Sequence, residues 1–197
     1  SVVEGEGPDG EVVVTGHNVM KGYHNKPEAT AQVLTPNGEI RTGDRGYLDE
    51  DNFLFITGRI KEQYKLENGI YVFPSALEEE IGHNHFIQHA FVYGAGKAHN
   101  VALIIPDPEA LAHEFPDHPG CRNPAAWCTD TTIVEFLLEQ IKEDLTGDYG
   151  KYEIPRALIL DLEPFSVENG VLTQTLKVKR RVLQERYGDR LEALYTT

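Results

Sequence analysis

The sequence predicts an α+β fold in which a short sheet flanked by helices follows a β-rich opening segment. Three observations carry that expectation. From residue 62 onward, apolar runs rich in β-branched residues alternate with stretches of helical period. Residues 1–60 hold strand and turn signals and little helix of their own. A hydrophobic content of 40% in 197 residues can bury one sizeable core or two small ones, and no apolar run approaches the roughly 20 residues that span a bilayer.

Taken in order, EVVV at 11–14 reads as a short buried strand. NKPEATAQVL at 25–34 reads as a helix with Asn25 near its cap and Pro27 in the first turn, where a missing N–H does no harm. RGYLDEDNFLFITGR at 45–59 alternates on both sides of a turn at 49–52, the pattern of a hairpin. EQYKLENGIYVF at 62–73 gives a second pair of short strands around Glu67, Asn68 and Gly69, since Asn and Gly tolerate positive φ.

In PSALEEEIGH at 74–83, Ser75 and Glu78 predict a capping box, with Ala76, Leu77 and Ile81 as an inner stripe. HAFVYG at 89–94 and VALIIP at 101–106 read as core strands. Across 107–129 the signal weakens, because Pro106, Pro108, Pro116, Pro119, Pro124 and Gly120 break any long element. TDTTIVEFLLEQIKEDL at 129–145 restores a helix with Ile133, Phe136, Leu137 and Ile141 on one face. RALILDL at 156–162 is a third core strand, ENG at 168–170 a turn, and RRVLQERYGDRLEALY at 180–195 one or two amphipathic helices. A boundary between Arg59 and Glu62 separates 1–60 from 61–197. The strands of the first part are too few for a core of their own, so it reads as the edge of something larger.

Thirty-two acidic against 18 basic side chains give a net charge of -14. Such a field repels phosphate backbones and anionic lipid, which argues against nucleic acid as a partner and against unaided docking to membranes. An anionic substrate must then meet local positive charge, and LTQTLKVKRRVL at 172–183 supplies it with Lys177, Lys179, Arg180 and Arg181. The opening residues lack the basic-then-apolar order of a signal peptide, so the expected compartment is the cytoplasm, peripheral to a membrane at most. Cys121 and Cys128 have no second pair to complete a zinc set; free thiols are expected, with a disulfide as the alternative. His83, His85 and His89 straddle a helix end and a strand start, so their rings need not converge, and no metal site is expected.

Three stretches, RTGDRGYLD, TGRIKEQYKLENGIYVFP and LTQTLKVKRRVL, place polar groups where only a task explains them. With GEVVVTGHNVMKGYHNKPEATAQVL before them and a terminal ALY after, they resemble in order and spacing the C-terminal third of the acyl-adenylate-forming enzymes. The long-chain fatty acid–CoA ligases are the most similar type, for the lysine and proline of KLENGIYVFP stand nine positions apart around an NG turn. The resemblance implies that 1–60 ends a large N-terminal domain belonging to the same polypeptide and that 61–197 is a small mobile domain.

It further implies that Asp44 binds the ribose hydroxyls of ATP or acyl-AMP, that Arg59 makes a second nucleotide contact, and that Lys177 is the catalytic lysine of adenylation. Lys61 falls at the hinge, and Lys65 to Gly69 at the turn that serves the thioester step. Read without the resemblance, Asp44 could equally stabilise the turn 42–45, Arg59 a surface ion pair, and 65–69 an ordinary hairpin. Lys179, Arg180 and Arg181 read as a basic, supporting helix face. The implied reaction joins a fatty acid to CoA with ATP; magnesium would accompany the ATP, its protein ligand lying outside this chain. No Gly-rich phosphate loop occurs between Ser1 and Thr197, so this segment by itself is expected to be inactive. Two alternatives stand beside this: an acyl-AMP ligase that loads a carrier protein, and a non-catalytic acidic interaction module.

Overall fold

In the computed structural model, which describes residues 2–4 and 10–196 with side chains from residue 10 onward, the chain divides into two units, 1–63 and 64–197. The first is an antiparallel sheet of β1 (Val2–Glu4), β2 (Gly10–Val14), β3 (Ile40–Leu48) and β4 (Leu54–Arg59), in that order, with one helix, α1 (Pro27–Val33). Helix α1 starts at its proline as expected, but Lys26 occupies the cap position and Asn25, at φ 54°, turns the chain into it. The β3–β4 hairpin forms because the Asp49 carboxylate accepts the Asp51 and Phe53 N–H groups, at 3.0 and 2.7 Å, while Asn52 takes φ 65°.

Among the described residues of this unit, Val12 and Val13 are the buried hydrophobic side chains. Phe53, Phe55 and Ile56 are 67, 45 and 56% exposed. The sheet has strands and hydrogen bonds without a core of matching size.

The second unit is built on period 2. Its three-stranded sheet has β7 (Ile87–Tyr93) antiparallel to β8 (Val101–Pro106) and β8 parallel to β9 (Leu158–Leu160). Every residue of β8 is buried, which explains the unbroken VALIIP. Alternate side chains go to opposite faces. Ala102 and Ile104 join a core with Leu77 and Ile81 of α2 (Pro74–Ile81) and Ile133, Leu137, Ile141 and Leu145 of α4 (Thr131–Leu145). Leu103 and Ile105 join a second core with Leu183, Tyr187 and Leu191, the four-residue stripe of α5 (Arg180–Ala193). The C-terminal segment is therefore one helix. A two-stranded hairpin, β5 (Tyr64–Lys65) with β6 (Tyr71–Val72), precedes α2.

Several expectations are corrected. Helix α2 does not start at Ser75: Pro74 begins it, Phe73 holds the cap position, and Ser75 lies inside the first turn. The inner stripe of α4 runs through Leu145, whereas Phe136 is half-buried and packs edge-on against Phe86 and Phe115, with ring centres 4.9 and 5.0 Å apart. Residues 107–129 hold a helix, α3 (Pro108–Glu114), and two 3₁₀ turns. Asp107 caps α3 by accepting the Glu109 and Ala110 N–H groups, so Pro108 begins a helix there instead of breaking one. Trp127 is buried beneath this segment, its ring stacked on His118, and a Cβ on Gly120 would lie 2.3 Å from it. Cys121 and Cys128 are free.

Candidate active site

The TGD stretch sits on β3 where its register against β2 and β4 slips. Thr42 donates its hydroxyl to the Val12 carbonyl at 2.8 Å and accepts the Asp44 N–H at 3.0 Å. Gly43, at φ 74°, donates to Glu11, and its carbonyl accepts the Ile60 N–H. The turn is thus held by Thr42 and Glu11. Asp44 is left for another partner: it faces Arg59 across the strands, with Nε 2.9 Å from Oδ1. The two side chains are 26% and 51% exposed, and such a pair contributes at most about 1 kcal/mol. The carboxylate keeps lone pairs for hydroxyl donors, and the guanidinium keeps N–H groups for oxygen. Lys61 is exposed in the turn that follows, where the Glu62 and Gln63 N–H groups both donate to the Arg59 carbonyl.

In the second unit, Lys65 and Gly69 share the β5–β6 hairpin. Leu66 is buried beneath it; the Leu66 N–H donates to Ile70, the Gly69 N–H donates back to Leu66, and Gly69 takes φ 81° with open space where a Cβ would stand. Lys65 is exposed, its ammonium 4.6 Å from the centre of the Tyr71 ring. At the base, the Tyr64 hydroxyl donates to Asn100 at 2.7 Å, and burial pushes the Tyr64 phenol far above its ordinary range. Asn100 is fully buried and donates to the Glu153 carbonyl; a Cβ on Gly94 would meet its side-chain oxygen at 2.2 Å.

Lys177 is presented by a closed loop. Leu172 bridges Val178, the Thr173 N–H donates to the Lys177 carbonyl at 2.8 Å, and the Lys177 N–H returns to the Thr173 hydroxyl at 3.0 Å. Leu176, 70% exposed at φ 59°, completes the turn. The Lys177 side chain is exposed, and among the described residues no carboxylate pairs with it. The local bonds fix its backbone while the ammonium stands in solvent.

Its basic neighbours differ. Arg181 is 86% exposed, 3.5 Å from Glu185. Arg180 is not part of a solvated face: it grips both oxygens of Glu78 at 2.7 and 2.8 Å, donates to the Val92 carbonyl and lies 4.6 Å from the Phe91 ring centre. Nothing local in RRVLQERY marks which arginine turns inward. His85 lies against Phe86 and His89 against Phe165, where burial lowers the affinity of His89 for a proton. Among the described residues no group of three or more His, Cys, Asp and Glu side chains could hold a metal, and no helix is long and apolar enough to cross a membrane.

The first unit thus holds a carboxylate beside a guanidinium on a hydrogen-bonded turn, and the second presents, on a closed loop, a lysine that no carboxylate among the described residues pairs with. Residues 61–197 match the family described as the AMP-binding enzyme C-terminal domain, and the chain belongs to it, as the C-terminal part of a member of the acyl-adenylate-forming superfamily. Among similar proteins, the carboxylic acid reductase of Mycobacterium tuberculosis is 34% identical over 96% of this chain and 15% of its own length. Long-chain-fatty-acid–CoA ligase 5 of Rattus norvegicus is 33% identical over 95% of this chain and 28% of its own. The A domain of carboxylic acid reductase from Segniliparus rugosus, solved with AMP and a co-purified carboxylic acid, superposes with a TM-score of 0.78 at 30% identity, covering 96% of this chain and 28% of that one. The chain thus spans less than a third of each of these relatives.

Proposed function

We propose that this chain is the C-terminal portion of an ATP-dependent long-chain fatty acid–CoA ligase. The observation that carries the reading is the Lys177 loop, which holds an exposed ammonium, paired with no carboxylate among the described residues, on a backbone closed by its own hydrogen bonds. In the first half-reaction a carboxylate oxygen of the fatty acid attacks the α-phosphorus of ATP, the new O–P bond forming as the bond to pyrophosphate breaks. Lys177 neutralises charge that gathers on the attacking and α-phosphate oxygens. Asp44 accepts the ribose hydroxyls, and Arg59 orients Asp44 while offering its remaining donors to nucleotide oxygen. Magnesium, when bound with ATP, screens the phosphates, with its protein ligand in the preceding domain.

In the second half-reaction the CoA sulfur attacks the acyl carbon and expels AMP, the thiol proton passing to solvent. A lysine over the phosphates and an open path for a thiol are incompatible demands on one surface, and rotation about Lys61 would meet them in turn by bringing the hairpin 65–69 to the site. The reductases among the relatives support a second reading in which the same activated acyl group goes to an acceptor other than CoA. Supplying alternative thiols to the intact enzyme separates the two.

The test is Lys177→Ala in the intact enzyme. Removing one aligned charge costs about 3 kcal/mol, so adenylate formation should slow at least about a hundredfold while thiolysis of supplied acyl-AMP survives. Unchanged pyrophosphate exchange would leave the acidic interaction module as the better account.

A further inference from the structure

The turn 94–99 between β7 and β8 is tied in two directions. On one side it carries the hairpin: the Gly96 N–H donates to the Lys65 carbonyl and the Lys97 carbonyl accepts the Glu67 N–H, both at 2.8 Å. On the other it is moored to the end of α5. The Lys97 ammonium meets the Glu192 carboxylate at 2.5 Å and lies 5.2 Å from the centre of the Tyr195 ring. The Tyr195 hydroxyl stands 2.9 Å from the His99 carbonyl and 3.2 Å from that of Tyr93, and the Tyr93 hydroxyl donates to the second oxygen of Glu192. Lys97 belongs to both sets of ties, its backbone bearing the hairpin and its side chain reaching the helix.

Exposure of 28% and 43% makes the Lys97–Glu192 pair weak as a source of stability. Its consequence is geometric. It fixes the carbonyl that fixes Glu67, one step from the residues at the tip. The Lys177 loop closes by its own bonds, and Arg180 holds the start of α5 separately, so the two devices are independently anchored.

We infer that Lys97 and Glu192 are positioning residues for thioester formation, holding the hairpin 65–69 through the turn 94–99 and taking no part in adenylate formation. This rests on the reading of 65–69 as the hairpin of the thiol step. Displacing reacting groups by a fraction of an ångström is enough to slow a step by an order of magnitude.

The experiment compares two half-reactions in the intact enzyme, pyrophosphate exchange for adenylation and thiolysis of supplied acyl-AMP by CoA, for Lys97→Ala, Lys97→Arg, Glu192→Gln and Lys177→Ala. Lys97→Ala and Glu192→Gln should each slow thiolysis about tenfold with exchange within about twofold of the parent, and Lys97→Arg should restore most of the loss. Glu192→Gln preserves volume and an acceptor for Tyr93, so it reports even where Lys97→Ala fails to fold. Equal loss in both half-reactions, or no loss in either, overturns the inference. If Lys177→Ala leaves exchange intact, the ligase reading itself fails; if it abolishes exchange while the Lys97 and Glu192 variants keep parental thiolysis, only the positioning role falls.

Discussion

Replacing Arg180 by alanine should destabilise the second unit more than any single surface change. The guanidinium is 24% exposed and the Glu78 carboxylate 11%; Nη1 donates to both carboxylate oxygens, Nη2 donates to the Val92 carbonyl, and the Phe91 ring centre lies 4.6 Å away. Truncation leaves a largely buried carboxylate without that cation. Breaking a buried pair costs about 3–5 kcal/mol, and the residual exposure of Arg180 puts this one at the lower end, about 3 kcal/mol. The chain has one tryptophan, Trp127, which is 1% exposed in the core of this unit, so its fluorescence follows the transition of interest. With a urea slope of about 2 kcal/mol/M, the midpoint should fall by about 1.5 M. Arg180→Lys, which keeps the charge and loses the fork, should recover less than half of that. A midpoint within about 0.4 M of the parent, with unchanged slope, would refute the claim that this pair braces the α5 terminus.

The segment 107–129 offers two further tests. Gly120→Ala drives a Cβ to within 2.3 Å of the Trp127 ring, so it should cost about 1–3 kcal/mol and perturb Trp127 emission in the folded state; unchanged emission and midpoint would contradict the packing described. Asp107 has its carboxyl held below the ordinary range by the Ala110 N–H first, against burial, with Gln88 and the Glu109 N–H adding to the effect. Because the folded value is the lower one, its contribution is fully present above about pH 4 and fades as pH falls through the folded value. Asp107→Ala should therefore cost about 1 kcal/mol near neutrality and progressively less in acid, read as converging urea midpoints; a loss independent of pH would sink the cap assignment.

The local rules of chain geometry were legible throughout. VALIIP, the NG turn and the spacing of Ile133, Leu137 and Ile141 each encode their conformation within a few residues, because strand alternation, positive φ and helical period are properties of neighbours. What misled was competition between local signals: Pro74 outweighed Ser75 as the start of α2, and Asp107 turned Pro108 from a breaker into a beginning.

Pairings across the chain belong to the tertiary structure alone. Asp44 finds Arg59 only through a register slip between β3 and β4, and Arg180 finds Glu78 across 102 positions because both cores of one sheet bring α2 and α5 to β7. Sequence decided which side chains carry charge. Burial and strand register decided that Arg180 is spent inside the fold while Lys177, a few residues earlier, keeps its ammonium in solvent. The physical reason is that desolvation makes a buried cation acceptable only beside a carboxylate, and where that carboxylate lies is a property of the folded chain.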